Sequence, residues 1–236
     1  MRIPLILAAL AACSTASGDA QPPPPVRLAK PASVRFHMRR HFDDLRTIEQ
    51  MLVHGQLDDA KARAFLLTRP VSDPGVAPWS ADIDRVTSAA RSLVAAPSID
   101  EALRREARRA SACASCHART REQPLFAAPA ATPSDQANAA SAMARHQWAV
   151  DRLWEGMVAG SYKPWRDGLD VIAATPLPFS PASNAPALGE RLHELARRAL
   201  VLQRNGTETL DERARLYGEM LVTCAACHAR TTARRP

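Results

Sequence analysis

Cys113-Ala-Ser-Cys116-His117-Ala-Arg-Thr120 and Cys224-Ala-Ala-Cys227-His228-Ala-Arg-Thr231 are one stretch of sequence written twice, the second copy 111 positions after the first. Working back from them, Ser98-Ile-Asp-Glu101 and Thr209-Leu-Asp-Glu212 keep that offset. Further back the offset is 105: Met38-Arg39-Arg40-His41 recurs as Met143-Ala144-Arg145-His146, and Gly55 as Gly160. Self-similarity over this length is the mark of a tandem duplication. The extra residues of the second half are assigned to a longer loop around Gln203 to Thr207.

Each half reads as four helices. In the first, a helix from about Ser33 to His54 stops at Gly55, and a second from Leu57 to Thr68 is ended by Pro70. A Pro- and Gly-containing loop leads to a third helix over Ala81 to Ala95. Ser98 with Glu101 is a capping box that opens the fourth. The second half repeats the plan with Thr209 and Glu212, although Pro164 and Gly168 interrupt its second helix pattern. Ala, Leu and Arg are strong helix formers, and aromatic residues are only 5% of the chain. The fold class expected is all-α, as two tandem antiparallel four-helix bundles over 34–121 and 139–232, each closed by the Cys-x-x-Cys-His stretch. Residues 122–138 form the linker between them.

Cys-x-x-Cys-His is the attachment sequence of c-type haem. Two thiols three positions apart lie on one helical turn, where they can add to the two vinyl groups of a porphyrin, and the following His is placed to ligate the iron. The expectation is two covalent haem c groups, held by Cys113 and Cys116 with His117, and by Cys224 and Cys227 with His228. Three other readings compete. A zinc site of the four cysteines has suitable ligand spacing but leaves the repeated His unexplained. Thiol redox pairs are expected at a strand–helix junction, and no strand pattern is visible. A disulfide across three residues within a helix closes a strained loop.

A helical bundle ending in Cys-x-x-Cys-His resembles the class II c-type cytochromes, which comprise cytochrome c′ and its low-spin cytochrome c-556 relatives. The resemblance covers each half, and the halves are shorter than typical members and fused in tandem. It implies that the distal face of each haem is covered by a side chain near the start of the first helix. Met38, His41, Leu45, Ile48 and Leu52 step by three and four, as do Met143, His146, Val150, Leu153 and Met157. This is the inward stripe of a bundle helix. His41 and His146 are the favoured distal ligands, with Met38 and Met143 as alternatives and an open apolar face as a third. Arg40 and Arg145 beside them are candidates for pairing with a propionate. His37, His54 and His193 do not repeat and are read as surface residues. Trp79, Trp148, Trp154 and Trp165 are read as core or haem-edge packing.

Upstream, Met1-Arg2 and the apolar Ile3–Ala12 read as an export signal, too short for the roughly 20 residues of a membrane span. Leu10-Ala11-Ala12-Cys13 resembles the bacterial lipobox, which implies acylation of Cys13 after removal of residues 1–12; the alternative is an ordinary signal cleaved after Ala20, with Cys13 in the discarded piece. Ser14 in place of Asp implies sorting to an outer membrane. Residues 13–33, with four consecutive prolines, read as a polyproline tether.

The net charge of +7 is spread over many helical faces without a nucleic-acid motif, so nucleic acid is not expected as a partner. The function expected is that of a dihaem cytochrome carrying single electrons between other redox proteins on the periplasmic side of a bacterial membrane. It is read as no enzyme, with peroxidase-like activity left open. The alternative is a sensor binding NO or CO at five-coordinate iron.

Overall fold

The computed structural model describes residues 32–69, 74–121, 124, 126, 129–134, 138–177 and 185–232. The export signal, Cys13 and nearly all of the proline-rich tether lie outside the described residues. Eight α-helices run in order: α1 (Ala32–Val53), α2 (Leu57–Leu66), α3 (Ser80–Val94), α4 (Ile99–Thr120), α5 (Ala139–Ala159), α6 (Tyr162–Ala174), α7 (Ala185–Arg204) and α8 (Leu210–Thr232). A short 3-10 helix, Pro74–Trp79, precedes α3. Among the described residues there is no strand, so the fold is all-α.

The helix ends follow the local chemistry of the repeats. Ser98 Oγ accepts from the Glu101 amide at 3.3 Å, and Thr209 Oγ1 accepts from the Glu212 amide at 3.1 Å. Each side-chain oxygen satisfies an amide that has no partner inside its helix. Gly55 (φ 83°) and Gly160 (φ 64°) end α1 and α5 in the left-handed region, where a Cβ is strained. Pro164 does not break α6. It stands in the first turn, where a missing N–H costs no helical hydrogen bond. The extra length of the second half lies in α7, of 20 residues against 15 for α3, rather than in the loop after it.

The halves share a single core. In the first, α1, α2, α3 and α4 pack in a closed cycle. In the second, α5–α6, α6–α7 and α7–α8 pack in sequence, but α5 closes against α4 rather than on α8. α4 and α8 form one of the two most extensive helix interfaces, and α1 touches α8 as well. The buried cluster runs without a break from Leu45, Ile48 and Leu52 through Leu93 and Leu103 to Leu153, Trp165 and Tyr217. Halves of roughly 90 residues bury little surface alone, and sharing a core across α4 and α8 offsets that.

Small residues set the close approaches. A Cβ on Gly218 of α8 would stand 3.5 Å from the Ala107 Cβ of α4. These two residues are 111 positions apart and therefore equivalent in the repeat. α4 and α8 thus cross at the same point of each, as they would about a two-fold axis.

Candidate functional site

The two Cys-x-x-Cys-His stretches occupy the last turns of α4 and α8. Cys113, Cys116, Cys224 and Cys227 are all free thiols, and no disulfide joins them. Nor do the four converge, since among the described residues no three His, Cys, Asp or Glu side chains gather as a metal-binding group. The geometry therefore offers two separate sites in place of a shared tetrathiolate. Burial pushes the Cys113 thiol up to about 11 and the Cys224 thiol up to about 12, so both are neutral near pH 7.

At the second motif, one narrow cleft joins residues far apart in sequence. Cys224, Cys227 and His228 of α8 line it together with Met143 and His146 of α5 and Leu188 and Leu192 of α7. The free space is about 40 Å³, room for a few waters. α5 and α8 are not a closely packed pair, since α5 spends its contact surface on α6 and α4. His146 is half-buried while Met143 is 45% exposed, so the histidine sits deeper. Burial lowers the His146 imidazole to about 4, with His228 and His193 adding to the effect. Near pH 7 it is uncharged and keeps a nitrogen lone pair.

The first motif is built differently. His41 lies against the His37 ring, centroids 4.1 Å apart. Burial, then His37, lowers its imidazole to about 4, and Arg109 of α4 is among its charged neighbours. Arg109 is likewise the charged group felt most strongly by the Cys113 thiol. It is wholly buried and ion-paired to the equally buried Glu106, yet its Nε and Nη1 have no hydrogen-bond partner. Met38 is half-buried on the same stripe of α1 as His41, and Arg40 is exposed.

Three histidines read as surface residues are more engaged than that. His54, although exposed, meets His228 of the other half edge-on, ring centroids 4.8 Å apart. His193 bonds the Thr175 carbonyl through Nε2 at 3.1 Å and stands near His146. His37 packs on His41. None repeats, so no pattern in the chain marked them. Arg145 hydrogen-bonds Thr175 Oγ1 at 3.2 Å and the Pro133 carbonyl at 3.1 Å, which commits it to the loops flanking α5 and α6. Trp154 and Trp165 are core residues, and the Trp165 indole donates to Glu208 at 2.7 Å.

A second buried polar cluster was not visible in the pattern either. The Tyr217 hydroxyl of α8 donates to Glu49 Oε2 of α1 at 2.6 Å, and Arg46 pairs with Glu49 at 2.7 Å and with Asp151 of α5. Burial raises the Glu49 carboxyl to about 7 despite Arg46.

Among the described residues no helix is long and apolar enough to cross a membrane. No protein-family model, curated protein or solved structure matches the chain.

Proposed function

We propose that the chain is a dihaem c-type cytochrome that carries single electrons, built as two fused bundles of the class II cytochrome kind. The cleft at the second motif supports this reading best. It gathers two thiols and an imidazole from α8 with His146 and Met143 from α5. That donor set fits a flat group that needs two covalent links and two axial ligands. As closed, the cleft is too narrow for such a group, so the helices around it must part to seat one. The α5–α8 direction is where the least packing has to be undone.

When bound, haem supplies one-electron redox chemistry. The protein's residues do the rest. Cys113 and Cys116, and Cys224 and Cys227, tether one group each, while His117 and His228 are the proximal ligands. His41 and His146 cover the opposite faces, and being uncharged they need give up no proton to ligate. Leu188 and Leu192 give the second site an apolar lining. Were His41 and His146 to serve as second ligands, small molecules would be kept from the iron, and electron carriage would follow in place of gas binding.

The same reading places the protein as a lipoprotein on the periplasmic side of a bacterial membrane, anchored through Cys13 at an outer membrane, with other redox proteins as donor and acceptor. Replacing Cys13 with Ser behind an alternative export signal should release it from the membrane fraction.

The deciding experiment is a pyridine haemochrome assay on protein exported by cells competent in c-type haem attachment. Two haems per chain that survive acid–acetone extraction are expected. A chain without haem, or one carrying zinc without iron, overturns the proposal.

A further inference from the structure

The two halves run antiparallel. Arg46 of α1 pairs with its equivalent Asp151 of α5. Phe42, four residues earlier on α1, meets Trp154, three residues later on α5, with ring centroids 6.1 Å apart. Moving back along one helix thus moves forward along the other. α4 and α8 follow the same rule: Gly218 faces Ala107, while Arg104, a turn earlier on α4, pairs with Glu219 at 2.7 Å. His117 and His228 each stand ten residues, about 15 Å of helix, beyond that crossing. The two Cys-x-x-Cys-His turns are therefore at opposite ends of the α4–α8 pair.

This order brings the end of each half's first helix onto the other half's motif. α5 begins at the second motif, where Met143 and His146 line the cleft with Cys227 and His228, and it ends on the first. There Gly160 closes on Ala114, which lies between the two thiols: a Cβ on Gly160 would stand 3.3 Å from the Ala114 Cβ and 3.4 Å from its carbonyl oxygen. α1 makes the reciprocal contact. Its last residues lead to His54, whose ring meets His228 edge-on, centroids 4.8 Å apart. His54 Nδ1 donates to the Gln50 carbonyl at 2.8 Å, which fixes the ring on the end of α1. In the repeat His54 corresponds to Ala159, so the equivalent turn of α5 offers a methyl group in place of an imidazole.

We propose that each half completes the other's attachment site, and that His54 is a positioning residue of the second, its ring setting the rotation of the His228 imidazole. The terminal torsion of a histidine is broad, so helix geometry alone does not fix how the ring is turned. A ligating histidine is oriented by the groups around its ring, and those neighbours tune what it binds. Here the neighbour comes from the opposite half. This rests on the dihaem reading above and adds the surface that each site borrows.

The test is proton NMR of the oxidised full-length holoprotein, in which the hyperfine-shifted ring-methyl signals of each haem report the rotation of its axial imidazoles. His54→Ala, the residue of the second repeat, should move one set of methyl signals and leave the other in place, with two haems still bound and the helix content unchanged. The set that moves is the one lost in Cys224→Ser combined with Cys227→Ser. His54→Phe, which keeps a ring at that place, should return the signals toward wild type. Gly160→Ala should move the other set. Gly206→Ala, with a similar φ of 66° but open space around it, should move neither. If Gly160→Ala does not fold, the His54 variants decide by themselves. Signals unchanged by His54→Ala, both sets shifted alike, or a shift that His54→Phe leaves in place overturn this inference while leaving the dihaem reading intact. Absence of haem overturns both.

Discussion

Arg46 and Asp151 stand at the same position of the two repeats, 105 residues apart, and are ion-paired with each other. A residue touches its own equivalent only near a two-fold axis. In a symmetric dimer this contact would set like against like. Here the two positions differ, and a guanidinium faces a carboxylate. Gly218 and Ala107 repeat the relationship between α8 and α4.

The pair should be lopsided in energy. Arg46 also neutralises the buried Glu49, whereas Asp151 is 49% exposed at its side chain. Arg46→Ala leaves a buried carboxylate with only the Tyr217 hydroxyl and should cost about 3 kcal/mol. Asp151→Ala removes a partly solvated partner and should cost under about 1 kcal/mol. Urea unfolding of both variants measures this, and equal losses would contradict the geometry.

Glu49 predicts a definite pH dependence. Its carboxyl is raised from 4.5 to about 7, first by burial, so the native state holds the proton more tightly than the unfolded chain. Its contribution to stability is present in full below about pH 4.5 and is lost as pH rises through 7. Glu49→Gln cannot ionise. The stability of the variant relative to wild type should rise between pH 5 and pH 8 and then level off. A constant difference across that range, in denaturant titrations at each pH, would rule out Glu49 as the source.

Gly156 tests the α5–α6 interface. A Cβ there would stand 2.5 Å from the Trp165 amide nitrogen, a distance no side-chain shift can relieve. Alanine normally gains about 1 kcal/mol over glycine within a helix. Here overpacking should win, and Gly156→Ala should lose about 2 kcal/mol net. An unchanged or raised melting temperature would show that α6 can move away from α5.

His146 and Met143 share one cleft, and the deeper histidine is the expected distal ligand. On the proposed dihaem reading, His146→Ala should convert one haem to high spin and open it to carbon monoxide, and Met143→Ala should leave the spectrum unchanged. The same contrast is expected of His41→Ala and Met38→Ala. A methionine–iron charge-transfer band in the ferric protein would transfer the assignment to Met143 and Met38.

The repeat, the eight helices, their caps at Ser98 and Thr209, and the inward stripe from Met38 to Leu52 were legible in the chain. Each depends on residues within a turn or two of one another, where spacing alone dictates which side chains share a face. The two Cys-x-x-Cys-His stretches belong to the same category, because each is five consecutive residues. How the halves meet was not legible. That α5 lies on α4, that α1 reaches α8, and that His54 touches His228 are decided by complementary surfaces from distant segments. The packing of Gly218 on Ala107 is one such pair, and neither residue reveals its partner by itself. The buried charges are the clearest case. Arg109 and Glu49 sit in amphipathic helices like any other polar residue, and only the closing of the shared core takes them out of water. Once there, each must find its partner or remain under-satisfied.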